Sequence, residues 1–135
     1  MGSFKDISLI AGSAMAAQTV RLNTIASNLA NANAVAGSEA EAFRARKPVF
    51  AAMVGEQGVA RVQVLDVVQS SEPLRRVHEP DNPLADADGM VYYANVNEVA
   101  EMADMMAASR AFETNVEVMG RIKSMQQSLL KLGEA

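Results

Sequence analysis

Along the N-terminal stretch Ala11, Met15, Gln18, Leu22, Ile25 and Leu29 recur at alternating steps of four and three, which places them on one stripe of a helix. Ser3 followed by Asp6 is a pairing that satisfies free backbone N–H groups at a helix start, so the helix is predicted to begin near Phe4. Asn31, Asn33 and Gly37 then supply residues that tolerate a left-handed stop. A second stripe is longer: Met105, Ala108, Phe112, Val116, Met119, Ile122, Met125, Leu129 and Leu132 are spaced by three or four throughout. Asn95 with Glu98 reads as its capping pair. Glu101 and Asp104 sit near its positive end, and Arg121, Lys123 and Lys131 lie toward its negative end.

The pattern between the stripes changes. Val59 to Val68 is rich in β-branched residues and alternates in polarity, as a half-buried strand does. Leu74 to His78 and Met90 to Ala94 are candidates for two further strands, with Asp88-Gly89 as a hairpin-type dipeptide. Pro80, Asn82 and Pro83 interrupt regular structure just before it. The chain therefore divides into an N-terminal helix (1–33), a loop- and β-rich middle (34–94) and a C-terminal helix (95–135). Its class is mainly α with a small irregular hairpin-containing centre.

Helix length decides how these parts can pack. From Val96 to Leu132 the second helix runs on the order of 55 Å, whereas a compact chain of this size is about 37 Å across. The two stripes can cover each other antiparallel, but one pair leaves apolar flanks wet, and Leu130 beside Leu129 widens the second stripe. The missing cover is expected from other chains. The assembly contacts are expected at Leu22, Ile25, Asn28, Leu29, Asn31 and Asn33 on the first helix, and at Phe112, Val116, Met119, Ile122, Met125, Leu129 and Leu132 on the second. A self-contained helical bundle acting as a soluble adaptor is the competing reading.

Composition narrows the function classes. Of 135 residues, 12 are Lys or Arg and 16 Asp or Glu, so the chain is acidic and without a nucleic-acid platform; Phe43-Arg44-Ala45-Arg46-Lys47-Pro48 is a compact basic cluster suited at most to an acidic neighbour. There is no cysteine, which removes disulfides, thiol catalysis and Cys-based zinc sites. No apolar run is long enough to cross a membrane. Ile7 to Ile10 followed by Ala14-Met15-Ala16 imitates a cleaved leader poorly, because Asp6 cancels Lys5 and the helical pattern continues past the supposed cut.

Catalytic chemistry finds no foothold. His78, the single histidine, has no nucleophile turn beside it and reads as a surface or sheet-edge residue. If Gly89 takes the sixth place of a calcium loop, Leu84 and Asn95 fall on the first and twelfth, where both must be ligands. The acids of 81–88 are therefore expected to form turns. No catalytic, cofactor-binding or metal-binding residue is assigned.

Residues 26–33 read Ala-Ser-Asn-Leu-Ala-Asn-Ala-Asn, with small side chains that admit a close helix and amides that must find partners or cost about 1–3 kcal/mol each. This segment resembles the ASNLANANT signature of bacterial flagellar rod and hook proteins, the axial family. The resemblance extends through Pro73-Leu74-Arg75, Pro83-Leu84-Ala85-Asp86, Asn95-Val96-Asn97, Ser109-Arg110-Ala111-Phe112 and Lys123-Ser124-Met125. The short chain and Pro-bearing middle look like a proximal rod subunit, with other axial types, FlgB or distal rod, as the near alternative.

The resemblance implies a non-enzymatic structural subunit whose terminal helices pair as an antiparallel coiled coil and become well ordered on assembly. It further implies passage through the flagellar type III export apparatus without a cleaved signal, and a place in the periplasm-crossing rod. The implied neighbours are the rod proteins FlgB, FlgF and FlgG and the rod-base adaptor FliE, with no cofactor, nucleic acid or direct membrane insertion.

Overall fold

A computed structural model describes residues 2–56 and 58–134. Two long helices, α1 (Gly2–Ala30) and α2 (Glu98–Glu134), bracket five strands: β1 (Val35–Ala36), β2 (Arg46–Val54), β3 (Ala60–Gln69), β4 (Arg75–His78) and β5 (Met90–Tyr93). The helices contact each other, and α1 also packs against β2 and β3. The strands form an antiparallel three-stranded sheet in the order β1-β5-β4 and a separate β2-β3 hairpin.

Within α1 the hydroxyls of Ser13, Thr19 and Thr24 donate to carbonyls three or four residues back, at 2.8, 3.0 and 2.8 Å, so these polar groups do not compete with the helix. The helix does not stop on a left-handed asparagine: among the described residues no non-glycine has positive φ. It unwinds through Ala32 N–H to Leu29 O and Ala34 N–H to Asn31 O, and enters β1 directly. The cap of α2 also differs from the expected one. Asn97 Oδ1 accepts from Ala100 N–H at 3.1 Å, because the Asn95 side chain is drawn away to accept from Ala45 N–H at 2.7 Å and donate to Glu72 O at 2.8 Å.

The buried core is narrow and built mostly of small residues: Ala11, Ala17 and Ile25 from α1, Ala108 and Ile122 from α2, with Val91 in β5 and Ala94 just after it. Of the expected α1 stripe, Ala11 and Ile25 are buried and Met15, Gln18, Leu22 and Leu29 half-buried, and burial extends beside it to Ala17, Thr24 and Asn28. The reason is geometric: α1 is flanked by α2 and by the hairpin, so the position shielded from both directions lies between the two contact faces. Arg21 meets Asp104 at 3.7 Å, which sets the C-terminal half of α1 beside the start of α2.

Of the middle elements, β3, β4 and β5 lie close to the predicted segments, while β2 and β1 were not anticipated. Lys47-Pro48 inside β2 masks it, and Pro48 is accommodated because a two-stranded ribbon has outer edges where an N–H is not needed. The expected half-burial of β3 is confined to Val62 and Val64, and its remaining residues are exposed. Register shifts between Val49 and Phe50, which oppose Asp66 and Val64, leaving Leu65 as the extra residue of a bulge. Two amide clasps and one hydroxyl orient this ribbon. Asn28 exchanges hydrogen bonds with the backbone of Arg46 at 2.8 and 2.9 Å, Asn95 holds Ala45, and Ser13 Oγ accepts from Val62 N–H at 3.1 Å.

The 79–89 segment is a set of local turns, as its composition suggests. Asp86 Oδ1 accepts from the N–H groups of Asp88 and Met90 at 2.9 and 2.8 Å, and Asn82 Oδ1 from Leu84 N–H at 2.9 Å. Gly89 has φ +74°, and a Cβ there would meet His78 Nε2 at 3.0 Å. The Glu79 carboxylate accepts from Asn82 Nδ2 at 3.0 Å and Tyr93 Oη at 2.8 Å. The Asn82 bond, then the Tyr93 bond and the Arg75 charge, hold its pKa below the ordinary 4.5 against an opposing desolvation.

Two outcomes are expected. Asn28→Leu removes the partner of the part-buried Arg46 N–H and C=O and lowers unfolding stability by about 1–3 kcal/mol in urea titrations at constant helicity. A depressed carboxylate pKa stabilises above the ordinary value and loses that contribution as pH falls through the folded one. Tyr93→Phe therefore raises the Glu79 pKa, read by NMR titration, and flattens the loss of stability below pH 4.5.

Candidate assembly surface

The thirteen positions expected to form assembly contacts separate into two groups in space. Ile25, Asn28 and Ile122 are buried within the chain, and Leu22, Leu29, Asn31, Phe112 and Met119 are half-buried. Asn33, Val116, Met125, Leu129 and Leu132 are exposed. The amides differ in the same way: Asn28 is committed to β2, and Asn31 donates to Ser27 O one turn back at 2.8 Å. Asn28 is thus an internal clasp in this chain.

Beyond Ile122 every described residue of α2 is exposed. This end carries Met125, Leu129, Leu130 and Leu132, the last 73% exposed. Such a run of apolar surface on a helix lacks the partner that makes helices stable in water, since most helical stability comes from packing of the apolar face. Further apolar exposure went unpredicted. Val99, Met102 and Met106 form an outward row at the start of α2, and Met53, Val54, Leu65, Val67 and Val68 project from the hairpin. The row was legible as a spacing of three and four; the hairpin patch was not, because bulge and register decide which of its side chains face water.

The basic cluster is largely used within the chain. Arg44 Nη1 donates to Ser70 O at 3.3 Å and Glu72 O at 3.0 Å, and Arg46 lies over the Phe43 ring at 5.7 Å. Arg75 and Arg76 stack on Tyr93 and Tyr92 at 4.5 and 5.8 Å across the small sheet. His78 ends β4 on the surface, opposite Met90. An open trough of about 570 Å³ is lined by Lys5, Asp6, Leu9, Gly55, Glu56, Val59 and Arg61, and these described residues hold no nucleophile–base pair. Among the described residues no three His, Cys, Asp or Glu side chains converge as a metal site, and no helix is long and apolar enough to cross a membrane.

Both helical ends match known flagellar families. Residues 9–37 match the flagella basal body rod protein family, and residues 87–132 match the flagellar basal body rod FlgEFG protein C-terminal family. Over nearly the whole chain there are relatives with one shared description, flagellar basal-body rod protein FlgC. That of Salmonella typhimurium is 47% identical, covering 93% of this chain and 94% of the relative. That of Yersinia enterocolitica is 42% identical over 98% and 99%, and that of Agrobacterium fabrum 33% over 100% and 99%. The chain belongs to the FlgC family of flagellar basal-body rod proteins.

The buried and the exposed members of these thirteen positions should respond differently to charge. Leu129→Asp and Leu132→Asp are expected to leave the melting temperature of the isolated chain nearly unchanged, whereas Ile122→Asp, which buries an unpaired carboxylate, lowers stability by about 3 kcal/mol or more. Calorimetry on the purified variants checks this.

Proposed function

We propose that this chain is a structural subunit of the proximal flagellar rod, with no catalytic step, and that it transmits torque through packed helices. The observation that carries the reading is the exposed end of α2, where Met125, Leu129, Leu130 and Leu132 meet no cover from their own chain. Family membership supports the rod as the destination of that surface. Burial of Ala17 and Ala108 in the helix contact and the Arg21–Asp104 pair support an antiparallel coiled coil as the structural layer the subunit adds to the tube.

On this reading the neighbours are FlgB, FlgF and FlgG, with FliE at the base, and the rod crosses the periplasm after export by the flagellar type III apparatus. Narrow alanine cores suit that route: a helix pair with few large buried side chains has little to lose on being unfolded for export, and regains stability when neighbours cover it.

The test uses a strain lacking its own subunit of this type. Complementation with the natural chain is expected to restore swimming and rods in isolated basal bodies, and complementation with Leu129→Asp/Leu132→Asp to give soluble subunit without rods. Motile cells with intact rods carrying that variant overturn the reading.

A further inference from the structure

Strand β4 is an outer strand of the three-stranded sheet, and among the described helices and strands only β5 contacts it. Its register sets Arg76 opposite Tyr92 and His78 opposite Met90. The backbone of Met90 turns the other way, to Asp86, and Tyr92 is paired with Ala36 of β1 on the far side of β5. One position further along, Glu79 N–H donates to Gly89 O at 2.9 Å, so the rungs shared with β5 are those of Arg75, Val77 and Glu79. The N–H and C=O groups of Arg76 and His78 therefore point to the open side of the sheet, away from β5, and meet no hydrogen-bond partner among the described residues. Pro80, the next outward position, has no N–H, which ends the edge there. Strand alternation puts Arg75 on one face and Arg76 with His78 on the other. Both guanidiniums lie over tyrosine rings, Arg75 on Tyr93 and Arg76 on Tyr92, and both arginines and His78 are exposed. Stacking uses the flat of a guanidinium and leaves its N–H edge for a carboxylate. Among the described residues no carboxylate stands within 4.0 Å of Arg76.

We propose that this edge accepts an extended acidic segment of a partner protein, added as a further strand beside β4, with carboxylates two residues apart next to Arg76 and His78. Charge selects the occupant. A second copy of this chain pairing about Val77 sets Arg76 beside the other copy's His78, with no carboxylate on that face. On the opposite face Glu79 is already held by Tyr93 and Asn82. A basic segment is repelled by both arginines. The outward backbone groups supply the attachment, and Arg76 supplies the choice of partner. At most four backbone hydrogen bonds join the two strands, so the junction is weak alone and fills where an assembly holds the segment close by. It uses neither the α2 tip nor the hairpin, and so adds a separate contact to the rod-subunit reading.

The test uses the full-length chain and a synthetic peptide, acetyl-Thr-Glu-Val-Glu-Thr-amide, with Lys in place of both Glu as the control. At millimolar peptide, the NMR signals of the Arg76 and His78 amides are expected to shift and their hydrogens to exchange more slowly. Val77, whose N–H already serves β5, should change little. The lysine peptide should bind about tenfold more weakly or worse. His78→Pro removes one outward N–H that the β4-β5 ladder does not use, and should cost the acidic peptide about tenfold in affinity while the β5 amide signals stay in place. Arg76→Glu, which leaves the backbone alone, should invert the preference between the two peptides. Equal binding of both peptides overturns the proposal, as does undetectable binding at millimolar concentration. Shifts that map to the hairpin or to α2 in place of β4 do the same, and so does an unchanged preference in Arg76→Glu. Slow exchange of the Arg76 and His78 amides that appears without peptide and grows with protein concentration makes a second copy the occupant, and overturns it too. None of these failures touches the complementation test of the α2 tip, which decides the rod reading on its own.

Discussion

Everything in this molecule follows from a mismatch between one helix and the chain available to cover it. The 37 residues of α2 face a partner helix of 29, and the ribbon and small sheet pack elsewhere. Apolar burial scales with area, at about 25 cal/mol per Å², and a contact line of alanines buries little of it. Larger side chains are instead distributed over the α2 tip, its outward row and the hairpin. In a monomeric protein that distribution would be a liability; on the proposed rod reading it is surface that neighbouring subunits cover.

The middle region is fastened to the helices by polar side chains. Asn28 at the end of α1 and Asn95 just before α2 reach Arg46 and Ala45, neighbours in sequence, and Arg44 binds the carbonyls of Ser70 and Glu72. Both helical ends are thereby referred to the base of the β2-β3 ribbon. Because Asn28 is almost completely buried, its two hydrogen bonds are directional constraints in a low-dielectric setting, where misalignment leaves backbone groups unsatisfied. This gives the signature segment a role inside the subunit: it fixes how the ribbon projects from the helices and hence which ribbon faces a neighbour meets.

The legible part of the fold was the part governed by periodicity. The stripes placed both helices, β-branched alternation located β3, and β4 and β5 fall on the two candidate strands near the Asp88-Gly89 turn. What escaped was governed by competition for partners. Asn95 looked like a cap and was taken by Ala45 and Glu72, leaving Asn97 to cap α2. Arg46 to Val54, which begins in the basic cluster and carries no strand prediction, forms β2 because β3 and Asn28 supply hydrogen-bond partners that no local pattern announces.

Sequence alone determined that two long amphipathic segments exist, that no cysteine chemistry is available, and that the second helix is too long for a compact globule, since these depend on residue spacing and the fixed rise of a helix. Tertiary structure decided which apolar residues remain in water and which amides turn inward. Those outcomes depend on where α2 and the ribbon approach α1, a relation between distant segments that spacing along one chain does not encode.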